Sequence, residues 1–359
     1  MKIGILTYHR SLNYGAELQA LALMTFISNL GHDASIIDYW PKYRTSFWSE
    51  TLALPFAQML LAIKLRLMTC IRYGIRKRNT ERFINQYMKL TSTSDKYDVA
   101  IYGSDQIWRK FNKKELKGFD EIYWGTDTIR ASKRVAYAAS MGSVQIIKEE
   151  DKLFVSEHLK NFDALSCREQ DLKDYCKSQF HIEIMKVIDP VFLLSSEQWN
   201  HLLPDKNVPP YNYLLYYTVM RNKKTEDIAD MIHKKTGLPI IELRGILVNF
   251  HYGKRYRFTA DAQEFLSLIR NASYVVASSF HGVALSLCFN KEFYYAGSSK
   301  SVNRISSLLS QVGLMNRIIT SEREIDLTKT IEWQEVNRKL DGIVTISKQW
   351  LSKKLVMLS

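Results

Sequence analysis

The sequence predicts an α/β fold made of two Rossmann-like, doubly wound domains that face each other across a cleft. The chain has 359 residues, and at roughly 150 residues per domain this length favours two domains. Short apolar runs typical of buried strands alternate with helical patterns from the N-terminus onward. The alternation stops at residues 204–210, which are rich in proline and polar side chains, and then starts again. Two successive runs of βα units without a sequence repeat therefore predict two such domains.

The opening βαβ unit is the clearest local pattern. Residues 3–8 form a short apolar run, as expected for a parallel strand that is buried on both faces. Apolar positions then recur at helical spacing over 16–29, and Gly31 ends that helix. Residues 34–39 are predicted to form the second strand.

The remaining elements follow the same alternation. In the first part of the chain, the pattern predicts strands at 97–102, 134–139, 164–167 and 185–188 and helices at 148–160 and 169–177. Beyond residue 210 it predicts strands at 213–218, 239–243, 274–278 and 292–296 and helices at 223–236, 261–270, 282–289 and 302–311. We therefore expect an N-terminal domain at 1–203 and a C-terminal domain at 211–330. A final helix within 331–359 is placed to cross back to the N-terminal domain.

Residues 40–95 interrupt this rhythm, and we expect them to form a basic helical insert in the N-terminal domain. The stretch 53–63 is almost wholly apolar, but Lys64 and Arg66 break the run before the roughly 20 residues that span a bilayer. Five cations follow: Arg72, Arg76, Lys77, Arg78 and Arg82. We favour two ordinary helices with a solvated basic side. Peripheral contact with a membrane through residues 53–82 is the alternative.

The composition excludes several classes of protein. Hydrophobic residues make up 46% of the chain and charged residues 24%, which argues against disordered, fibrous and membrane-embedded proteins. The 50 Lys and Arg residues outnumber the 37 Asp and Glu residues, which gives a formal net charge of +13. This balance favours an anionic partner such as a phosphate, an acidic sugar or a bilayer surface. The basic residues are spread over both halves of the chain and no nucleic-acid-binding motif is visible, so nucleic acid is not an expected partner.

Cysteine and histidine spacing gives no sign of a metal site or a disulfide framework. The four cysteines, Cys70, Cys167, Cys176 and Cys288, form no Cys-x-x-Cys pair, and we expect reduced thiols. The pattern His-Glu-x-x-His is absent and the histidines show no metal-ligand spacing, so neither a metal nor a cofactor is expected. The N-terminal apolar run is too short for a signal peptide, which predicts a cytoplasmic protein.

Two turns in the first half of the chain carry candidate site residues, because ligands of open α/β sheets bind where strands end and helices begin. The first turn contains Asn13, Tyr14 and Gly15, and Gly15 would let a ligand approach the backbone closely. A tight turn that only starts a helix explains this pattern equally well, since neither Gly-x-Gly-x-x-Gly nor a P-loop occurs. The second turn contains Asp105, which would either cap the next helix or orient a hydroxyl of an acceptor substrate.

A third turn carries an arginine at the end of the strand predicted at 164–167. Arg168 suits bidentate recognition of a carboxylate or a phosphate. Its spacing alone favours a salt bridge to Glu169 or to another acid.

The fourth turn gives the sharpest signal, a histidine at a point where a strand turns into a helix. His281 is flanked by the hydroxyls of Ser278 and Ser279 and by Gly282, which permits close approach. A histidine in this position is able to donate to an anion or to act as a general acid. We favour a functional role for it over a structural one.

These motifs belong to a longer series that runs in order along nearly the whole chain. The series comprises Lys2-Ile3-Gly4-Ile5, Asn13-Tyr14-Gly15-Ala16, Leu18-Gln19-Ala20, Ile37-Asp38-Tyr39, Gly103-Ser104-Asp105-Gln106-Ile107-Trp108, Tyr137-Ala138-Ala139-Ser140, Ser166-Cys167-Arg168-Glu169, Asp189-Pro190-Val191-Phe192-Leu193-Leu194, Glu264-Phe265-Leu266, Ser279-Phe280-His281-Gly282, Phe289-Asn290-Lys291 and Arg304. Taken together, these motifs resemble the polysaccharide pyruvyl transferase family. The resemblance is specific because the motifs occur in order over nearly the whole chain. A single motif would not make it specific.

The resemblance implies a fold similar to that of the two-domain GT-B glycosyltransferases. It also implies a donor substrate, phosphoenolpyruvate, whose enolpyruvyl group becomes a cyclic ketal on two hydroxyls of a sugar. The expected acceptor is a lipid-linked saccharide intermediate of surface polysaccharide biosynthesis, met at the inner face of the cytoplasmic membrane. A doubly anionic donor requires cations and helix N-termini, and protonation of its vinyl carbon requires a general acid.

The resemblance also implies roles for the candidate residues. His281 would be the acid or the phosphate-binding group, and Arg168 would clamp the anionic groups of the donor. Three further residues would help to bind the donor: Ser279, Gly282 and Arg304. The acceptor is expected against the N-terminal domain, where the candidates are Asn13, Tyr14 and Asp105.

Two other functions compete with this one. A GT-B glycosyltransferase that uses a nucleotide sugar would share the architecture, and binding of phosphoenolpyruvate as against UDP or CMP would discriminate between the two. A binding module without catalysis, for nucleic acid or a membrane surface, rests on the net charge of +13 alone.

Overall fold

The fold class predicted from the sequence is confirmed by two parallel β-sheets with helices packed around them. The structure is a computed structural model. It describes residues 1–11, 13–41, 59–113, 115–219, 223–245, 255–297, 299–319 and 325–359. We call the elements from β1 to α5 the first unit and those from β10 to α9 the second unit.

The first unit contains a parallel sheet with the strand order β3-β2-β1-β4-β7-β8-β9 and a small antiparallel hairpin, β5-β6. Its strands are β1 (Lys2–Leu6), β2 (Asp33–Ile37), β3 (Leu90–Thr91), β4 (Lys96–Tyr102), β5 (Phe111–Asn112), β6 (Lys117–Gly118), β7 (Arg130–Ala139), β8 (Ala164–Cys167) and β9 (Met185–Lys186). Its helices are α1 (Tyr14–Asn29), α2 (Met59–Tyr87), α3 (Glu149–Leu159), α4 (Gln170–Phe180) and α5 (Ser196–Leu202).

The second unit contains a parallel sheet with the order β11-β10-β12-β13. Its strands are β10 (Leu214–Thr218), β11 (Ile240–Arg244), β12 (Tyr274–Ala277) and β13 (Glu292–Tyr295). Its helices are α6 (Lys223–Thr236), α7 (Ala262–Asn271), α8 (Phe280–Cys288) and α9 (Ser299–Val312). The chain then continues into the final helix, α10 (Trp333–Met357).

The strand orders place two switch points where the candidate residues lie. In the first sheet the chain runs outward from β1 in one direction and from β4 in the other, and in the second sheet β10 and β12 diverge in the same way. Strands such as β10 are buried along their whole length, which explains their continuous apolar sequence. Because ligands of open α/β sheets bind beside such switch points, the turns after β1, β4 and β12 surround the candidate site.

Helix α10 packs against the first unit. The backbone N–H of Ile188 donates to the Ser347 hydroxyl at 2.9 Å, and the rings of Tyr137 and Trp350 lie with their centroids 6.2 Å apart. Leu351 is fully buried in the same helix. Helix α10 therefore covers part of the first sheet, beside β7 and β9.

The basic segment differs from its prediction. The described residues from 59 onward form one long helix, α2, rather than parts of two helices, while residues 42–58 lie outside the described residues. Gly74 does not end the helix, because one glycine costs only about 1 kcal/mol in a helix interior. Strand β3 then pairs with β2, so the sheet resumes inside the range predicted as the insert, 40–95. None of the helices in the described part of the chain is long and apolar enough to cross a membrane.

Helix α1 buries a carboxylate, Glu17, where the two units meet. Both carboxylate oxygens are without a hydrogen-bond partner among the residues that the structure describes. Burial raises the pKa of Glu17 from 4.5 to about 8, against the opposing charge of Arg76. Between these two pH values the folded protein holds a proton that the unfolded chain has released, so the stability falls as the pH rises through this window.

The variant Glu17→Gln tests this assignment, since glutamine keeps the shape of the protonated side chain and cannot ionise. We expect the variant to be more stable than the parent protein near pH 8 by at least about 1 kcal/mol. The difference should disappear toward pH 4, where both states of the parent protein are protonated. Urea unfolding at both pH values measures it, and Glu121→Gln at an exposed position is the control. Equal stability of the variant and the parent near pH 8 would contradict the assignment.

Candidate active site

The turn between β12 and α8 fixes the position of His281. Ser279 is the N-cap of α8, and its hydroxyl accepts from the backbone N–H of Gly282 at 3.1 Å. A Cβ atom at Gly282 would lie 2.8 Å from the Cβ of Ala277 and 3.1 Å from Cδ1 of Tyr217. Glycine is therefore needed for the helix to begin this close to the sheet. Ser279 and Gly282, two of the three residues predicted to help bind the donor, thus shape the turn that carries His281.

His281 is buried in the first turn of α8. Its Nε2 atom lies 3.6 Å from Oδ2 of Asp189 and has no hydrogen-bond partner within the described residues. A buried imidazole with one unengaged nitrogen beside a carboxylate is able to exchange a proton with a bound ligand.

The first turn of α1 meets His281 from the other unit. A Cβ atom at Gly15 would lie 2.2 Å from both Cγ and Nδ1 of His281, so only glycine fits at this position. Asn13 is half-buried and caps α1, its Oδ1 accepting from the backbone N–H of Gly15 at 3.3 Å. Two helix N-termini, one from each unit, thus converge on His281 and provide a favourable place for negative charge.

Arg168 holds three carboxylates together. Its Nε lies 3.0 Å from Glu169, its Nη1 lies 2.6 Å from Asp189 and its Nη2 lies 3.5 Å from Asp105. The arginine side chain is only 3% exposed. The salt bridge to Glu169 favoured by the sequence is present, and the structure shows Arg168 in contact with acids of its own chain.

The charges of this cluster support one another. Burial alone would raise the pKa of Asp189, but His281 and Arg168 outweigh it and hold that pKa well below its usual range. Burial would lower the pKa of Arg168, but Glu169, Asp189 and Asp105 together raise it. The pKa of Asp105 is likewise lowered, since Arg168 and His281 outweigh the effect of burial. Asp189 and Asp105 are therefore carboxylates, and Arg168 a cation, at neutral pH.

The explanation of Asp105 as a helix cap is wrong, because the described residues 106–113 form no helix. Asp105 lies in the left-handed region at φ 66°, and its Oδ1 accepts from the N–H of the next residue, Gln106, at 2.8 Å. The backbone N–H of Trp108 then donates to the carbonyl of Ser140 at 3.1 Å rather than to a helical partner. The Trp108 ring is fully buried in the core in this conformation. Its other predicted role, orienting an acceptor hydroxyl, stays a prediction.

Arg304 approaches the cluster from α9. With the Gln106 amide oxygen turned toward it, this oxygen accepts from the two terminal nitrogens of Arg304 at 2.8 and 3.0 Å. Its Nε is buried and without a hydrogen-bond partner in the described parts of the chain. Burial and the charge of Arg168 lower the pKa of Arg304. An anion beside Arg304 would therefore relieve an unfavourable charge.

A cavity of about 190 Å³ adjoins these cations. It lies between the end of the first sheet, α9 and α10, and its lining includes Arg168, Lys186, Asp189, Phe280, Arg304 and Ile343. Charged and apolar side chains thus line one open cavity, a combination that is usual for small-molecule sites.

Tyr14 has a different environment from the one that the sequence suggested. Its ring is fully buried, stacks on Phe265 of α7 with centroids 4.9 Å apart, and lies under the guanidinium of Arg76 at 4.5 Å. Burial raises its pKa to about 12. The structure therefore places Tyr14 in the contact between the units.

Asp189 is the residue that sequence reasoning missed. Its Oδ2 accepts from Arg168 and, at 3.2 Å, from the hydroxyl of Ser104. Its Oδ1 accepts from the N–H of Val191 at 3.2 Å and caps a short 3₁₀ turn, Pro190–Phe192. The Asp-Pro pair after a strand was a signal for this cap. The contacts with Arg168 and His281 depend on residues that are distant in sequence.

Comparisons with known proteins identify one family model that matches the chain. The family model described as polysaccharide pyruvyl transferase matches residues 13–299. A search of curated proteins found no significant match. An uncharacterised protein of Klebsiella pneumoniae is similar in structure at 14% identity and a TM-score of 0.39, over 70% of this chain and 86% of its own.

Two further solved structures cover nearly the full chain. The UDP-GlcNAc 2-epimerase of Neisseria meningitidis has 10% identity and a TM-score of 0.47, with 99% of each chain covered. The ADP-heptose LPS heptosyltransferase II of E. coli has 10% identity and a TM-score of 0.32, over 97% of this chain and 100% of its own.

The two parallel sheets give the chain an α/β fold, and the matching family model implies a transferase. The chain belongs to the polysaccharide pyruvyl transferase family, whose model covers nearly its whole length. The family identified from the order of the motifs is thereby confirmed.

The buried cluster predicts unequal effects of two Asp→Asn changes. Asp189 and Asp127 both pair with an arginine, at 2.6 and 2.8 Å, but Asp189 is fully buried while Asp127 is fully exposed. Asp189→Asn leaves Arg168 with less compensating charge in the interior and should cost about 3 kcal/mol of unfolding free energy. Asp127→Asn should cost less than about 1 kcal/mol. Denaturant unfolding of both variants measures this, and equal losses would refute the central role of Asp189.

Proposed function

We propose that this protein transfers the enolpyruvyl group of phosphoenolpyruvate to two hydroxyls of a sugar, forming a cyclic pyruvate ketal in surface polysaccharide biosynthesis. The observation that carries this proposal is the environment of His281. Its Nε2 makes no hydrogen bond to the described residues and lies 3.6 Å from Asp189. Two helix N-termini converge on the same ring. Such a site suits a small anion that must also receive a proton.

The chemistry requires one proton donor and a place for phosphate. His281 protonates the vinyl carbon of phosphoenolpyruvate, which leaves positive charge at the neighbouring carbon. One sugar hydroxyl adds there, phosphate departs with its C–O bond electrons, and the second hydroxyl closes the ring. Of the two hydroxyl protons released, one balances the proton gained by carbon and the other accompanies the phosphate. Asp189 lies 3.6 Å from Nε2 and places a negative charge beside the imidazole.

Arg304 is the cation best placed to meet the donor directly. Its Nε has no hydrogen-bond partner among the described residues. Arg304 and Lys186 both line the adjoining cavity. Arg168 contacts three carboxylates, so in this proposal it supports the donor site by fixing Asp189 and Asp105. Ser279 and Gly282 contribute by shaping the start of α8.

The acceptor lies against the first unit in this proposal. Asn13 is half-buried beside the start of α1, and the Asp105 side chain is 12% exposed. Asn13 precedes Gly15, which is in contact with the His281 ring, and Asp105 pairs with Arg168 in the same cluster as Asp189. In this proposal a sugar bound to both would lie beside His281. We propose a lipid-linked saccharide as the acceptor, met at the inner face of the cytoplasmic membrane. The exposed cations Lys77, Arg78 and Arg82 on α2 would face its headgroups.

The test is incubation with phosphoenolpyruvate and a panel of lipid-linked and nitrophenyl glycosides. We expect phosphate release together with a gain in the mass of one acceptor. His281→Gln should lower this rate by about 100-fold or more, while His201→Gln, at an exposed position on α5, should not change it. Unchanged turnover in the His281→Gln variant would remove the acid role.

The competing function has its own readout. If folded protein releases no phosphate with any acceptor, and its melting temperature rises with UDP or CMP but not with phosphoenolpyruvate, a nucleotide-sugar glycosyltransferase replaces this proposal.

A further inference from the structure

The long helix α2 presents one face to the second unit. Residues 72, 76, 79, 83 and 87 follow one another at intervals of three or four and therefore share a face. Several contacts cross from this face to the second unit. The Arg72 guanidinium lies 4.3 Å from the ring of Phe258. The Asn79 amide donates to the carbonyl of Thr259 at 2.8 Å, and the Tyr87 hydroxyl donates to Gln263 at 3.3 Å. Helix α2 thus joins the two units.

The basic stretch of the sequence is divided between two faces of this helix. Lys77, Arg78 and Arg82 are exposed. Arg76 is only 1% exposed, although its immediate neighbour in sequence points to solvent. A guanidinium is buried only where partners replace its water, so the surroundings of Arg76 indicate what it does.

Arg76 contacts both units. Its guanidinium lies 4.5 Å from the centroid of the Tyr14 ring, and its Nη1 donates to the backbone carbonyl of Arg244 at 2.8 Å. Arg244 is the last residue of β11. The planar guanidinium therefore lies between the start of α1 in the first unit and the end of a strand in the second.

Tyr14 connects Arg76 to His281, because the residue after Tyr14 is in contact with the His281 ring. Tyr14 is held between Arg76 and the ring of Phe265. The next residue, Gly15, is in such close contact with the His281 ring that even a methyl group would collide with it. A movement of Tyr14 therefore moves the surface against which the imidazole rests.

We propose that Arg76 is a positioning residue that fixes the His281 ring through Tyr14 and Gly15. Helix α2 then sets the geometry of a site that it does not line. The effect on catalysis rests on the proposed function, whereas the effect on the His281 ring does not. Displacements near 1 Å are enough to matter, since they reduce rates by about 100-fold in well-aligned sites.

The test records the His281 ring itself in protein without substrate. Histidine labelled with ¹³C at Cε1 gives one signal per ring, and the loss of a signal in His281→Gln identifies that of His281. Arg76→Gln should shift or broaden the His281 signal. Arg72→Gln is the matched control, because it removes the same charge one turn earlier on the same face and touches Phe258 instead of Tyr14.

A milder variant covers the case in which Arg76→Gln does not fold. Arg76→Lys keeps the charge but loses the planar group that stacks on Tyr14. It should move the His281 signal in the same direction by a smaller amount. Gly15→Ala should move it as well, because the added methyl displaces the ring directly.

Activity provides a second readout. Arg76→Gln should lower kcat by about 10-fold with little change in the KM for phosphoenolpyruvate, since the acid and not the donor site is displaced. Combined with Gly15→Ala it should lower kcat by less than the product of the two single effects, as expected for residues that act through one contact.

Two results would overturn the inference. One is an unmoved His281 signal in the folded Arg76 variants, and the other is an equal movement in Arg72→Gln, which would assign the effect to general loosening between the units. A parent protein without phosphoenolpyruvate turnover would refute the proposed function alone, because the His281 signal is measured without substrate.

Discussion

The buried ion cluster around Arg168 is the interaction on which the rest of the site depends. One guanidinium binds three carboxylates that follow three different strands of the first sheet. A buried cation of this kind is stable only when its partners are complete, so the turns after β4, β8 and β9 are fixed relative to one another. Asp189 links the cluster to the second unit, because the carboxylate that binds Arg168 also lies 3.6 Å from His281. The cluster thus sets both the shape of the sheet edge and the charge beside the imidazole.

The second constraint is the absence of a side chain at Gly15. The two units approach each other so closely that the start of α1 is in contact with the ring of His281. This contact excludes water from one side of the imidazole, which strengthens the influence of Asp189 on the other side. Around it, the aromatic stack of Tyr14 on Phe265 buries a large apolar area between the units. The His281 ring is therefore in close contact with Gly15 and also lies beside the buried charge of Asp189.

Much of the fold could be predicted from the sequence, because apolar periodicity reports local burial. The helix predicted at 223–236 matches α6, and the strand predicted at 164–167 matches β8. The position of His281 was predictable, because its neighbours cap and begin a helix. The burial of Tyr14 could not be predicted, since it depends on Phe265 in the other unit. For Asp105 the sequence left two roles open, and the cap is excluded because residues 106–113 form no helix.

Helix α10 has a consequence for how the protein forms. Its Ser347 satisfies a backbone N–H in the segment that follows β9, and its Trp350 lies near Tyr137 of β7. The first unit therefore lacks part of its covering until residues 333–357 have left the ribosome. Apolar surface beside β7 and β9 is uncovered while the second unit is being synthesised, a period in which such intermediates are prone to aggregate. The first sheet is therefore fully covered only after α10, the last of the described elements, has been synthesised.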